Sequence, residues 1–194
     1  MRLILASASP RRADLLRAAG YVFEVMAADV DESRRDGESP REYVRRLAME
    51  KSAAIRVADA VVLGADTTVV VDGEILGKPR DEHESAAMLR RLSGRRHDVI
   101  TGVSVRLDGA EVGRVDTTGV YFSLLTDADV AWYVASGEGR DKAGGYAIQG
   151  LASRFVLRID GSYSNVVGLP VALVAELMRE ISQRARGNSR SDPP

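Results

Sequence analysis

Cysteine is absent from this 194-residue chain, histidine occurs only at His83 and His97, and lysine only at Lys51, Lys78 and Lys142, against 24 arginines. Without cysteine there is no disulfide framework, thiolate zinc site or cysteine nucleophile. Two histidines cannot build an all-imidazole zinc centre, so a bound metal is expected to be a hard cation held by oxygen. No long apolar run is present either. The longest stretch free of charge, Gly161 to Ala175, contains Asn165 and Pro170 together with serines and glycines, which excludes a membrane span. Leu3 to Ala6 followed by small residues imitates a signal peptide, but the apolar run is too short, and a cytoplasmic protein is expected. An excess of one charge sign is also missing: 27 basic against 28 acidic residues give a net charge of −1. That balance argues against a general nucleic-acid binder. What remains, with 45% apolar residues, is the composition of one soluble domain or of two small lobes sharing a core.

Along the chain, Leu3 to Ala6 reads as a short buried strand leading into a helix with Ser9 as N-cap, Pro10 at the first position and Gly20 at the end. Val22 to Met26 reads as a second strand and Ala27 to Glu38 as an acidic loop. Ser39-Pro40-Arg41-Glu42 forms a capping box for a helix to about Val57, which carries Lys51. Ala60 to Ala65 is a buried strand that breaks at Asp66, and Thr67 to Val71 resumes it up to an Asp72-Gly73 turn. Asp81 and Glu84 cap a helix to about Ser93. Asp98 to Leu107 and Glu111 to Ser123 form a hairpin about Asp108-Gly109, and Thr126 with Asp129 opens a helix closed by Gly137. Arg154 to Ile159 with Asp160-Gly161 suggests a strand and hairpin, and Pro170 starts a final helix with Val171, Val174, Leu177, Met178 and Ile181 on one face. Residues 1–186 are expected to form one domain and 187–194 a disordered tail. The irregular alternation, with hairpins interspersed, predicts an α/β fold with a mixed sheet flanked by helices.

Four segments carry candidate chemistry. Ser7-Ala8-Ser9-Pro10-Arg11-Arg12 lies between a strand and a helix N-terminus, where backbone N–H groups and the helix dipole favour an anion, and its hydroxyls and guanidiniums suit phosphate. Asp29, Asp31 and Glu32 share a loop, and Asp66 stands among valines and leucines, where an ionised carboxylate must be paired or metal-bound. Such an acid can hold Mg²⁺ and activate water while a loop acid completes the metal shell. Gly73 to Pro79, around Lys78, is not a P-loop, because the glycine spacing is short and Pro79 replaces the hydroxyl residue. Lys142 to Gly150 is rich in glycine, and Gln149 offers donor and acceptor to a base edge. Neither histidine sits beside an obvious catalytic partner, and His97, after Arg95-Arg96, reads as a strand-edge residue. The residues thus suggest a water nucleophile, a hard metal and cationic charge arranged for a polyphosphate.

In this order LASASPRR, the loop ending Asp31-Glu32, LAMEK, GADTTVV, LGKPR, LSGRRH, DKAGGYAIQG and GSYSNVVGLP closely resemble the Maf family of nucleoside triphosphate pyrophosphatases, over about Leu3 to Glu180. The resemblance implies a long, bent mixed sheet with two lobes, a nucleotide cleft between them and a homodimer. It gives Asp66 the role of catalytic acid that activates water with Mg²⁺ or Mn²⁺, and Glu32 that of the neighbouring metal carboxylate. Ser7, Ser9, Arg11 and Arg12, with Lys51 and Lys78, would serve the phosphates and catalysis, and Arg12, Thr67 and Gln149 match the branch acting on dTTP and UTP. The implied reaction yields a monophosphate and pyrophosphate, with a part in septum formation and in clearing modified pyrimidine nucleotides. A modified purine triphosphate as substrate, or a non-catalytic regulator of septum formation, are the competing readings.

Overall fold

The computed structural model describes residues 2–188. Seven strands, β1 (Arg2–Leu5), β2 (Glu24–Val25), β3 (Ala60–Val71), β4 (Glu74–Leu76), β5 (Arg96–Leu107), β6 (Ala110–Phe122) and β7 (Val156–Asp160), form one mixed sheet of order β2-β1-β3-β5-β6-β7, with β4 paired to β3. β1 runs parallel to β2 and β3, whereas β3–β4 and β6–β7 are antiparallel. Six α-helices accompany it: α1 (Pro10–Ala18), α2 (Pro40–Ala54), α3 (Glu82–Leu92), α4 (Asp127–Ser136), α5 (Tyr163–Val167) and α6 (Val171–Asn188). The mixed α/β architecture is the one expected.

The chain divides into two units. Of the described residues, 2–66, Thr101–Asp116 and 168–188 make the first; Thr67–Ile100 and Thr117–Val167 make the second. In the first unit the period-2 alternation of the strands divides the core. Leu3, Leu5, Val61, Leu63 and Ala65 join Leu16 of α1 and Val174, Leu177 and Ile181 of α6, while Ile4, Ala6, Ala60 and Val62 face the other way, beside Ile55 and Val57. Helix α2 starts from the expected capping box, with Ser39 and Glu42 satisfying each other's backbone N–H. In the second unit α3 packs on α4 and on the 3₁₀ turn 143–145. An aromatic cluster there joins His97, Phe122 and Tyr146, with ring centroids about 5 Å apart, and Tyr133 meets Phe155 at 5.7 Å.

Several expectations need correction. β3 does not break at Asp66 but runs through it as one twelve-residue strand. β2 shrinks to two residues, α2 ends at Ala54, and the strand expected from Arg154 starts at Val156, after a 3₁₀ turn over Leu151–Phe155. No hairpin follows Asp160-Gly161, because the short helix α5 takes that place. Ser9 occupies the N-cap position of α1 without a side-chain cap bond; Ser7 Oγ accepts the Ser9 N–H instead, at 3.2 Å. His97 is buried rather than at an edge. Past Asn188, the tail expected from Gly187 lies outside the described residues.

Candidate active site

The first unit brings two carboxylates to one ammonium. Lys51 Nζ lies 2.7 Å from Asp66 Oδ1 and 2.6 Å from Glu32 Oε1, with the Lys51 and Asp66 side chains about 10% exposed and that of Glu32 55% exposed. Strand alternation and two glycines create the meeting. Val62, Gly64 and Asp66 share one face of β3. A Cβ at Gly64 would overlap the Ala48 carbonyl oxygen and the Ser52 amide nitrogen of α2, and one at Gly102 of β5 would overlap the Val44 carbonyl. Helix α2 therefore lies with its backbone directly on the sheet, which delivers Lys51 to the carboxylate two residues beyond Gly64.

Glu32 is held by the loop around it. Tyr43 Oη donates to the Glu32 carbonyl at 2.9 Å, and Arg46 donates to the Ser33 carbonyl at 3.0 Å and to both carboxylate oxygens of Glu38 at 2.6 and 2.8 Å. The Arg46 guanidinium holds the Glu38 carboxyl down to about 2. Burial, then the charges of Asp66 and Glu32, push the Tyr43 phenol up to about 12.

Arg12 is buried, and its guanidinium joins three segments, donating to Ser7 Oγ at 3.0 Å, the Ala65 carbonyl at 2.9 Å and the Gly168 carbonyl at 2.9 Å. Burial opposes its charge and the Asp66 carboxylate supports it. The Asp66 carboxyl is itself raised above the usual range by burial, against the pull of Lys51 and Arg12. A raised value brings a general base nearer to neutral pH.

Ser7, Arg12, Glu32, Lys51 and Asp66 thus form one connected set in the first unit, with Arg11 half-buried and Ser9 beside them on the start of α1. Thr67, Lys78 and Gln149 stand in the second unit. Thr67 follows Asp66 along β3 and is half-buried. Lys78 is exposed just after β4, next to Gly77, whose carbonyl accepts the Gly144 N–H at 3.0 Å. Gln149 is exposed in a turn closed by Gly150 N–H donating to the Ala147 carbonyl at 3.1 Å. Lys142 is tied down locally, donating to the Glu138 carbonyl and to Asp141, each at 2.6 Å. Sequence reasoning missed Tyr43, Arg46, Gly64 and Gly102. The signals available were the helical spacing of Tyr43, Arg46 and Glu50, and a glycine in the middle of a valine-rich strand.

Among the described residues no cluster of three or more His, Asp or Glu side chains forms a metal cage. The pair Glu32 and Asp66 nevertheless fits a hard divalent cation, because Mg²⁺ is commonly held by one or two carboxylates with water and substrate phosphates filling the rest of its shell.

The profile of the family described as "Maf-like protein" matches residues 2–181. The dTTP/UTP pyrophosphatase of Anaeromyxobacter dehalogenans (strain 2CP-C) is 53% identical over 182 residues, 92% of this chain and 93% of that protein. The dTTP/UTP pyrophosphatase of Vibrio cholerae is 49% identical over 92% of this chain and 97% of that protein, and that of Syntrophus aciditrophicus is 45% identical over 98% and 95%. Among solved structures, the Staphylococcus aureus Ham1 protein aligns with a TM-score of 0.45 at 18% identity, over 63% of this chain and 72% of that one, too loosely to bear on function.

Proposed function

Because the chain belongs to the Maf family, we propose that it is a nucleoside triphosphate pyrophosphatase that hydrolyses dTTP and UTP between the α and β phosphates, releasing the monophosphate and pyrophosphate. The observation that carries this reading is the buried Asp66 carboxylate, aligned on Lys51 beside Glu32, in a chain about half identical to named dTTP/UTP pyrophosphatases.

In this mechanism Asp66 takes the proton of the attacking water, and its raised affinity for that proton suits the task. Lys51 orients the Asp66 carboxylate in the resting site and offers an ammonium to the negative charge that develops on the phosphates. Ser7, Ser9 and Arg11, at the start of α1, bind phosphate oxygens, and Arg12 fixes Ser7 against the end of that segment as well as contributing its charge. Lys78 is assigned to the leaving pyrophosphate, and Thr67 and Gln149, with Arg12, to nucleotide preference. Glu32 and Asp66 would hold Mg²⁺ or Mn²⁺, which when bound supplies Lewis-acid neutralisation of the phosphoryl oxygens.

The proposal extends to residues 1–186 working as one domain, to a homodimer in the cytoplasm engaging neither nucleic acid nor membrane, and to a part in cell-division arrest through septum formation. Among the described residues no helix is long and apolar enough to cross a membrane. Pyrophosphate release from UTP, dTTP, CTP, GTP, ITP and 7-methyl-GTP with Mg²⁺ or Mn²⁺ tests the central claim. Preference for UTP and dTTP is expected. A purine preference would overturn the substrate assignment, and no release on any triphosphate would leave a binding protein.

A further inference from the structure

The proposed mechanism leaves unused a polar network in the second unit that runs from the buried Tyr133 through the half-buried Glu138 to the turn carrying Gln149. Tyr133, on α4, is fully buried. Its hydroxyl donates to Glu138 Oε2 at 2.8 Å and accepts the backbone N–H of Ala147 at 3.1 Å. The other carboxylate oxygen of Glu138, Oε1, accepts the backbone N–H of Leu151 at 2.9 Å. The two anchored amides, Ala147 and Leu151, lie two residues to either side of Gln149.

The fit around the carboxylate is close. A Cβ at Gly150 would overlap both Glu138 carboxylate oxygens, so the glycine lets the side chain lie against the turn's backbone. Glu138 is itself held in place, since its carbonyl accepts from Lys142 Nζ and its N–H donates to Ser136 Oγ at 3.2 Å. Burial and the bond to Glu138 keep the Tyr133 phenol protonated far above the ordinary tyrosine range, so it remains a donor at every working pH. Yet the residue between the anchors is exposed. A polar network rigidifies a segment when every member is satisfied, and here the anchor at Ala147 is buried while the one at Leu151 is open to solvent.

We infer that Tyr133 and Glu138 are positioning residues for nucleobase selection: they clamp the 147–151 turn and so fix where the Gln149 amide stands. The inference rests on the reading of Gln149 as the residue that meets the base. A primary amide carries a donor on one side and an acceptor on the other. It can pair with the N3–H and O4 of uracil or thymine, or, turned over or displaced, with the N3 and N4–H₂ of cytosine. Because rotation about the terminal side-chain bond exchanges donor and acceptor even over a fixed backbone, preference for a uracil-type base needs the amide held in one place, where its surroundings favour one of its two orientations.

The test measures kcat and KM for UTP and CTP in Tyr133→Phe, Glu138→Ala, Glu138→Gln and Gln149→Ala, each checked for folding by circular dichroism. Tyr133→Phe and Glu138→Ala are expected to raise KM for UTP about 3- to 10-fold, to leave kcat within about 2-fold and to erode the UTP-over-CTP preference, the scale of one or two lost hydrogen bonds. Glu138→Gln, which keeps an acceptor, should recover most of the loss. Combining Tyr133→Phe with Gln149→Ala should add nothing to Gln149→Ala alone. If Gln149→Ala abolishes the preference while Tyr133→Phe and Glu138→Ala retain wild-type KM and preference, the inference is overturned and the reading of Gln149 stands. If the two variants lower kcat on both triphosphates with preference intact, their role is structural and the inference falls. If Gln149→Ala itself leaves preference unchanged, the reading of Gln149 fails and takes the inference with it.

Discussion

Lys51 is the residue on which the candidate site turns. Its ammonium, buried against α2 and β3, meets two carboxylates of unlike surroundings, the buried Asp66 and the largely exposed Glu32. A compact ammonium suits a position shared by two single oxygens, whereas a planar guanidinium would have to displace one of them. Asp66→Asn removes the base while keeping the side chain's shape, and turnover is expected to fall about 10²- to 10⁴-fold with the circular dichroism spectrum unchanged. The pH profile carries a second prediction. Catalysis needs ionised Asp66, so kcat/KM rises with pH through its titration; burial raises that group in the metal-free protein, and a bound dication pulls it back down, so the acid limb should move to lower pH as Mg²⁺ is raised. Lys51 pulls the same group downward, so Lys51→Met should move the limb to higher pH. A limb that stays in place in that variant would detach Asp66 from the rate.

At the scale of elements, the helix and the strand meet through missing side chains. Gly64→Ala would force a methyl group into the Ala48 and Ser52 backbone, lifting α2 from β3. It is expected to cost about 1–3 kcal/mol of stability, as overpacking does, and to lower activity by separating Lys51 from Asp66; urea denaturation and pyrophosphate release read the two effects. Most elements were legible in the sequence where a local signal fixes them: the capping boxes at Ser39-Glu42 and Thr126-Asp129 and the turn at Asp108-Gly109 appear where read. Asp66 misled because a carboxylate amid valines looks like a strand break, whereas pairing with Lys51 lets the ladder continue through it. The 3₁₀ turns and α5 carry no periodicity long enough to announce them. Within the site, motif order pointed to Asp66, Glu32 and Lys51. Neither the burial of Arg12 nor the anchoring of the Glu32 loop by Tyr43 and Arg46 could be read, because the first depends on Ala65 and Gly168, far along the chain, and the second on backbone carbonyls of an irregular loop, which no periodicity announces.

For the whole molecule, a pH dependence of stability is expected from His97, whose Nε2 lies 2.7 Å from Tyr146 Oη inside the aromatic cluster. Burial, then the charge of Arg96, pushes it down from 6.5 to about 4. Folding therefore excludes a proton that the unfolded chain would bind, and stability from this group is complete above 6.5 and is lost as pH falls toward 4. The loss amounts to at most about 3 kcal/mol. Thermal melts of the wild type should steepen in that window, and His97→Gln, which does not titrate, should show a shallower fall; parallel curves would remove His97 from the account. The division into two units has its own consequence. The chain passes between them at 66/67, 100/101, 116/117 and 167/168, so neither is an uninterrupted stretch of sequence. A fragment ending at Asp66 would lack Val103, Val105, Leu169 and Leu177, which fill the core of its own unit. Gene recombination among relatives cannot therefore exchange the unit bearing Gln149 as a single block. It would have to move two cassettes together, the first of them joined at the peptide bond between Asp66 and Thr67, so a change of substrate range is more accessible through point substitutions within the second unit than through shuffling.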